Sequence, residues 1–175
     1  PRVRRQRQMC IRDSTITSRK QLEEKYKDTI GWSNRRKVFL AEEYVDGAEF
    51  TIDGLVINSH HYPLCISVKE MYPENPNISM MQSYSYTSNK YDYDLLRKTN
   101  RELIEAMGLP MGLTHCEYKF YKGKFYLIEA GARGGGSNLS GKIVPFMSGI
   151  DNYEYLIKEA LGEPVDAVSY THLTL

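Results

Sequence analysis

The chain has 175 residues, 41% of them hydrophobic and 26% charged, enough for one domain with a substantial core and hardly for two. No apolar run approaches the roughly 18–20 residues that span a bilayer, and no apolar segment follows the N-terminal arginines as a signal peptide requires. The net charge of +1 hides an asymmetry: the first fourteen residues hold five arginines and one acid, the rest carries 18 basic and 21 acidic residues, and a nucleic-acid partner would rest on that arm alone.

The strings QMCIRDS (Gln8 to Ser14) and AVSYTHLTL (Ala167 to Leu175) resemble translated sequencing-adaptor read-through. Residues 1–14 and 167–175 are therefore read as non-native tails, and the native protein is expected to extend beyond both. Ser18 to Lys27 reads as a helix, with Ser18 as N-cap and Gln21 completing a capping box. Gly31 to Arg36 is a turn. Val38 to Val45 (VFLAEEYV) is a strand, closed by the hairpin signal Asp46-Gly47, with Glu49 to Ile57 as its partner. Pro63 to Met71 is a further strand, followed by a loop holding Pro73 and Pro76 and a polar stretch through Lys90. The tyrosines between Tyr84 and Tyr93 read as packing residues.

Asp92 to Met107 is the clearest helix, with Leu95, Leu96, Thr99, Leu103 and Met107 on one face and Gly108 and Pro110 as its stop. Strands follow around Glu117 to Tyr121 and Phe125 to Ala130, then a glycine-rich loop from Gly131 to Ser137. A last helix runs from an N-cap at Asp151 to Leu161, ended by Gly162 and Pro164. Strands joined by tight turns with a few helices between them predict an α+β fold, an antiparallel sheet covered by helices. Cys10, Cys65 and Cys116 form no CxxC pair and fit free thiols in a reducing compartment, so a cytoplasmic location is expected.

Glu117 and Glu129 are equidistant from Gly123, which sits in the turn YKGK. With an odd loop centred there they would oppose each other on one face, about 4.5–5.5 Å apart at Cβ, together with Lys119, Tyr121, Phe125 and Leu127. A two-residue loop would instead put them on opposite faces as solvated groups, and spacing leaves both options open. Opposed like charges need compensation, for which magnesium is suited: it takes one or two carboxylates and completes its shell with phosphate oxygens.

Two ordered patterns extend this reading. FLAEEYVDGAEFTI has an apolar strand, a Glu, and then Gly-x-Glu; THCEYKFYKGKFYLIEAGARGGGS has a carboxylate strand, an apolar-Ile-Glu strand and an Arg-bearing glycine loop. From Val38 to Pro164 the chain thereby resembles the C-terminal half of the ATP-grasp fold. The resemblance implies an ATP-dependent ligase that activates a carboxylate as an acyl phosphate for attack by an amine or another nucleophile. Residues 15–37 would end the small lobe and 38–166 would form the C-terminal ATP- and metal-binding lobe. The other lobes would lie in the same longer chain, a homodimer is compatible with the resemblance, and neither nucleic acid nor membrane is implied.

Residue by residue, the resemblance puts Glu42 at the adenine edge, with the backbone of Glu43, Tyr44 and Val45 pairing to the base. Glu49 would accept from the ribose hydroxyls, and Lys69 would lie near the phosphates. Glu117 and Glu129 would hold magnesium (or manganese) against the β- and γ-phosphates, and Arg133 would stabilise the transferring phosphoryl group. His115 either borders the site or is an interior histidine. The pattern departs at Gly131, where many members have a metal-binding Asn; Asn138, Ser137 or a water would then take that place, or only one metal would bind well. The departure also motivates an alternative, a non-catalytic ATP-grasp-like binding or assembly module. A third candidate, the string GxxxxGK at Gly136 to Lys142, is followed by Ile143 rather than the Ser or Thr of a P-loop.

Overall fold

The structure is a computed structural model that describes residues 15–32, 41–136 and 138–165. The expected tails, residues 33–40 and Ser137 lie outside the described residues. In chain order the elements are α1 (Arg19–Trp32), β1 (Ala48–Ile57), β2 (His60–Tyr72), β3 (Asn75–Tyr84), α2 (Tyr93–Ala106), β4 (Gly112–Tyr121), β5 (Lys124–Gly131), a π-helical turn (Leu139–Ile143), α3 (Val144–Ser148) and α4 (Asn152–Leu161). They divide into two compact units, one made of residues up to Val45 with Met71–Met80, the other of Asp46–Glu70 and the chain from Met81 onward.

In the first unit, α1 starts where the sequence predicts. Ser18 Oγ accepts the Gln21 backbone N–H at 3.2 Å, and the Gln21 side chain reaches back to the Thr17 backbone N–H at 2.9 Å. The helix continues through Gly31 and Trp32, past its expected end.

Of the strand expected at 38–45, residues 38–40 lie outside the described residues, and the rest is corrected: residues 41–46 form no strand. Its intended partner β1 is paired along one edge with β2 and along the other with β4, which leaves no edge for a third strand. Asp46-Gly47 is not a hairpin turn either, because Gly47 lacks the positive φ such a turn needs. Hairpin turns with positive φ form instead at Asn58-Ser59, with φ of 49° and 63°, and at Lys122-Gly123, with φ of 48° and 77°.

The strands form a five-stranded sheet of order β3-β2-β1-β4-β5, in which β1 is antiparallel to β2 and β4, and β4 to β5. β3 replaces much of the loop expected after Pro73; it is an edge strand, the place in a sheet where proline is tolerated. The architecture is α+β, as predicted.

Alternation along the strands sends two sets of side chains to opposite faces. Phe50, Ile52, Val56, Ile66, Cys116 and Tyr118 form one core with Tyr93, Leu96 and Ile104 of α2. Leu55, Ile57, Leu64, Cys65 and Leu113 form a second with Val144 and Ile150. Tyr91 and Tyr93 pack edge-on against Phe50, as expected of that tyrosine-rich stretch. The buried face of α2 is turned from the expected one: Tyr93, Leu96, Asn100 and Ile104 are inside, while Leu95 and Met107 are exposed. Asn100 concealed this face because it is polar, yet it is fully buried and accepts the Tyr118 hydroxyl at 3.0 Å. Cys65 and Cys116 are free and buried. Among the described residues no helix is long and apolar enough to cross a membrane.

His61 adds a pH dependence. It is fully buried, with Nε2 2.9 Å from Thr114 Oγ1, and its Nδ1 has no partner among the described residues. Burial, reinforced by the Arg101 charge, lowers its pKa from 6.5 to about 4. The folded protein thus holds His61 neutral where the unfolded chain would protonate it. Its contribution to stability is complete above pH 6.5 and is lost as pH falls to about 4, a change of roughly 3 kcal/mol. Urea unfolding followed from pH 7 to pH 4 is expected to show a steeper acid loss for wild type than for His61→Gln. Equal slopes would remove His61 as the cause.

Candidate active site

One end of the second sheet face is polar, and strand pairing arranges it in rows. Glu49, Thr51 and Asp53 of β1 share this face because Phe50 and Ile52 between them are fully buried on the other. Glu49 lies between Lys69 and Lys119, Thr51 between Ser67 and Glu117, and Asp53 between Cys65 and His115. On the far side of β4, Glu117 opposes Glu129 and His115 opposes Gly131.

The opposition of Glu117 and Glu129 does not come from an odd loop. Tyr121 pairs with Lys124 across the two-residue turn Lys122-Gly123, which by itself would put the two glutamates on opposite faces. The register then shifts between Tyr118 and Glu117: Tyr118 pairs with Leu127 and Glu117 with Glu129, so Ile128 is the extra residue of a β-bulge. The bulge corrects the parity and with it the expected faces. Phe125 pairs with Phe120 and stacks edge-on against Phe50 in the core, while Tyr126 pairs with Lys119.

Cations compensate the two acids. Lys69 Nζ donates to Glu49 Oε1 at 2.7 Å and lies 2.8 Å from Glu117 Oε2, with its side chain 9% exposed. His115 Nδ1 lies 2.9 Å from Asp53 Oδ1, and its Nε2 faces Glu117 Oε1 at 3.4 Å. Arg133 Nη2 donates to Glu129 Oε1 at 3.2 Å and Nη1 to the Gly134 carbonyl at 3.0 Å. A Cβ on Gly131 would meet Arg133 Cγ at 3.3 Å, so the arginine stem lies across the bare glycine.

The proton affinities follow from this network. Burial favours a neutral Glu117, but the His115 hydrogen bond and the Lys69 charge prevail and hold its pKa near 2. Burial likewise opposes charge on His115, yet hydrogen bonds to Asp53 and Glu117 lift its pKa to about 9. Lys69 is also raised, the attraction of Glu117 and Glu49 outweighing burial. Lys69, His115 and Glu117 are therefore held charged at neutral pH.

Of the residues expected from sequence, Glu49, Lys69, Glu117, Glu129 and Arg133 meet on this face. Glu42, Glu43 and Tyr44 are exposed and Val45 half-buried, all in the other unit. Asn138 is exposed at the head of the π-helical turn with φ of 64°, and its side chain makes no capping bond. Asp53 escaped sequence reasoning, although an acid spaced by two and four from Thr51 and Glu49 in an otherwise apolar strand marks the same face. Among the described residues no three His, Cys, Asp or Glu side chains gather into a metal cage of their own. The pair Glu117 and Glu129 suits magnesium, a hard cation that takes one or two carboxylates and finds its other oxygens on phosphates and water.

Comparisons with known proteins bear on the fold and the family. A family description, ATP-grasp domain, matches residues 6–141. Dapdiamide A synthase of Enterobacter agglomerans is 26% identical over 136 residues, covering 78% of this chain and 28% of that protein. The L-amino acid ligase of Bacillus licheniformis superposes with a TM-score of 0.66 at 27% identity, over 83% of this chain and 36% of the ligase. The biotin carboxylase of Campylobacter jejuni superposes with a TM-score of 0.69 at 18% identity, over 88% of this chain and 35% of the carboxylase. The biotin carboxylase domain of Hydrogenobacter thermophilus 2-oxoglutarate carboxylase, solved with MgADP, gives 0.60 at 16% identity, over 86% and 32% of the two chains. The chain spans 28% of the curated relative's length and about a third of these structures. By the match over most of its length, the chain belongs to the ATP-grasp family.

Proposed function

We propose that this chain is the ATP- and magnesium-binding lobe of a ligase that activates a carboxylate as an acyl phosphate for attack by an amine or another nucleophile. The observation that carries the reading is the opposition of Glu117 and Glu129 on a polar sheet face, with Arg133 on the loop that follows. Relatives named as an L-amino acid ligase and a dapdiamide synthase favour carboxylate–amine ligation over other ATP-grasp chemistry.

In this reading Glu117 and Glu129 hold magnesium (or manganese), and Asn138 or water completes the shell on the protein side. Bound there, the metal supplies charge neutralisation at the β- and γ-phosphates. Arg133, 40% exposed and tethered through Glu129, swings its guanidinium onto the transferring phosphoryl oxygens. Lys69, fixed between two acids, adds positive potential beside the phosphates. Glu49 receives the ribose hydroxyls, and the backbone at Glu43, Tyr44 and Val45 reads adenine beside Glu42. The protein's work is positioning and electrostatics, with no covalent step of its own. Residues 15–37 close the small lobe, 38–166 form the C-terminal lobe, and other lobes of the same cytoplasmic enzyme complete the nucleotide clamp.

The test is phosphate release by the complete protein given ATP, magnesium and pairs of amino acids. Release that requires both an amino-acid carboxylate and an acceptor amine is the expected result. If no carboxylate stimulates release while nucleotide still binds, the ligase reading falls and a binding module takes its place.

A further inference from the structure

Asp53 sits in mid-strand on β1 with its side chain 3% exposed. Its Oδ1 accepts from His115 Nδ1 at 2.9 Å, and its Oδ2 is buried without a partner among the described residues. An ionised carboxylate is costly to bury on such terms, and hydrophobic packing does not call for one here. The His115 side chain is 7% exposed, and its other nitrogen faces the carboxylate of Glu117 at 3.4 Å. Lys69 takes the second oxygen of that carboxylate at 2.8 Å. The glycine loop closes over the same aspartate: a Cβ on Gly135 would lie 2.8 Å from Asp53 Oδ1, and one on Gly134 2.2 Å from Ser140 Oγ. The bare Gly135 lets the loop bearing Arg133 rest on Asp53, and Gly134 lets it pass Ser140.

We propose that Asp53 is a positioning residue that locks the His115 ring and, through it, the orientation in which Glu117 meets the metal. The inference rests on the metal role of Glu117 and Glu129 proposed above. A glutamate on a sheet face has several rotamers. With one oxygen claimed by His115 and the other by Lys69, a single orientation remains, and it holds only while the imidazole cannot turn. Asp53 supplies that restraint from beneath, as outer partners of metal ligands commonly do.

The experiment measures manganese(II) bound to the complete protein in the presence of ADP by electron paramagnetic resonance. Asp53→Asn and His115→Gln are each expected to raise the manganese Kd about 10–100-fold. ADP binding without metal should be unchanged, and the double variant no weaker than the weaker single one. His115→Gln decides the matter alone if Asp53→Asn does not fold. Wild-type manganese affinity in these variants, with affinity lost in Glu117→Gln and Glu129→Gln, overturns the positioning role and leaves the proposed function standing. Multiplicative losses in the double variant overturn it too, because they mean independent roles. Wild-type affinity in Glu117→Gln and Glu129→Gln overturns the positioning role together with the site reading beneath it.

Discussion

Glu129→Gln in the complete enzyme is expected to lower ADP formation at least about 100-fold, equivalent to about 2.7 kcal/mol of transition-state stabilisation. The amide keeps the size of the side chain but not its charge, and it removes one of the two carboxylates that face each other across β4 and β5. It also weakens the charge that holds Arg133, whose Nη2 lies 3.2 Å from Glu129 Oε1. The glutamate side chain is 42% exposed on an edge strand, so the thermal midpoint should move by no more than a degree or two. A steady-state ADP assay across magnesium concentrations checks this. Turnover at the wild-type rate with the wild-type magnesium requirement would withdraw the metal assignment from Glu129.

The largest stability effect is expected at Gly47. A Cβ there would stand 2.0 Å from the Phe120 carbonyl oxygen and 2.9 Å from its carbon, both of them backbone. Main chain cannot swing aside as a side-chain tip can, so Gly47→Ala must open the end of the β1–β4 ladder where Ala48 pairs with Phe120. Overpacking of this kind costs about 3 kcal/mol, which lowers the thermal midpoint of a protein this size by roughly 6–12 °C. Gly47→Asn separates this account from the hairpin-turn reading of Asp46-Gly47. Asparagine suits a turn with positive φ but collides here as alanine does. Asn at wild-type stability would restore the turn and refute the close approach.

Much of the site was legible because strand alternation is a local property. Glu49, Thr51 and Asp53 had to share one face, as did His115, Glu117 and Lys119, whatever the strands paired with. The helix caps at Ser18 and Asp151 were equally local, each a short side chain reaching an amide two or three residues ahead. The strand expected through residues 41–45 failed for the opposite reason. An apolar run ending in Asp-Gly promises a hairpin, but pairing depends on which edges are free, and β1 had none.

What the residues determined by themselves was the content of each face: acids and bases at alternate positions of β1, β2 and β4, and a glycine loop carrying an arginine. Which of these meet was decided by register, a tertiary quantity. The turn at Lys122-Gly123 has the parity that would have separated Glu117 from Glu129, and one bulged residue, Ile128, reversed the outcome. Nothing in the local sequence prescribes that bulge. It forms where Phe125 must join Phe50 and Phe120 in the core while Glu129 must reach the polar face, a conflict that appears only once the sheet is assembled.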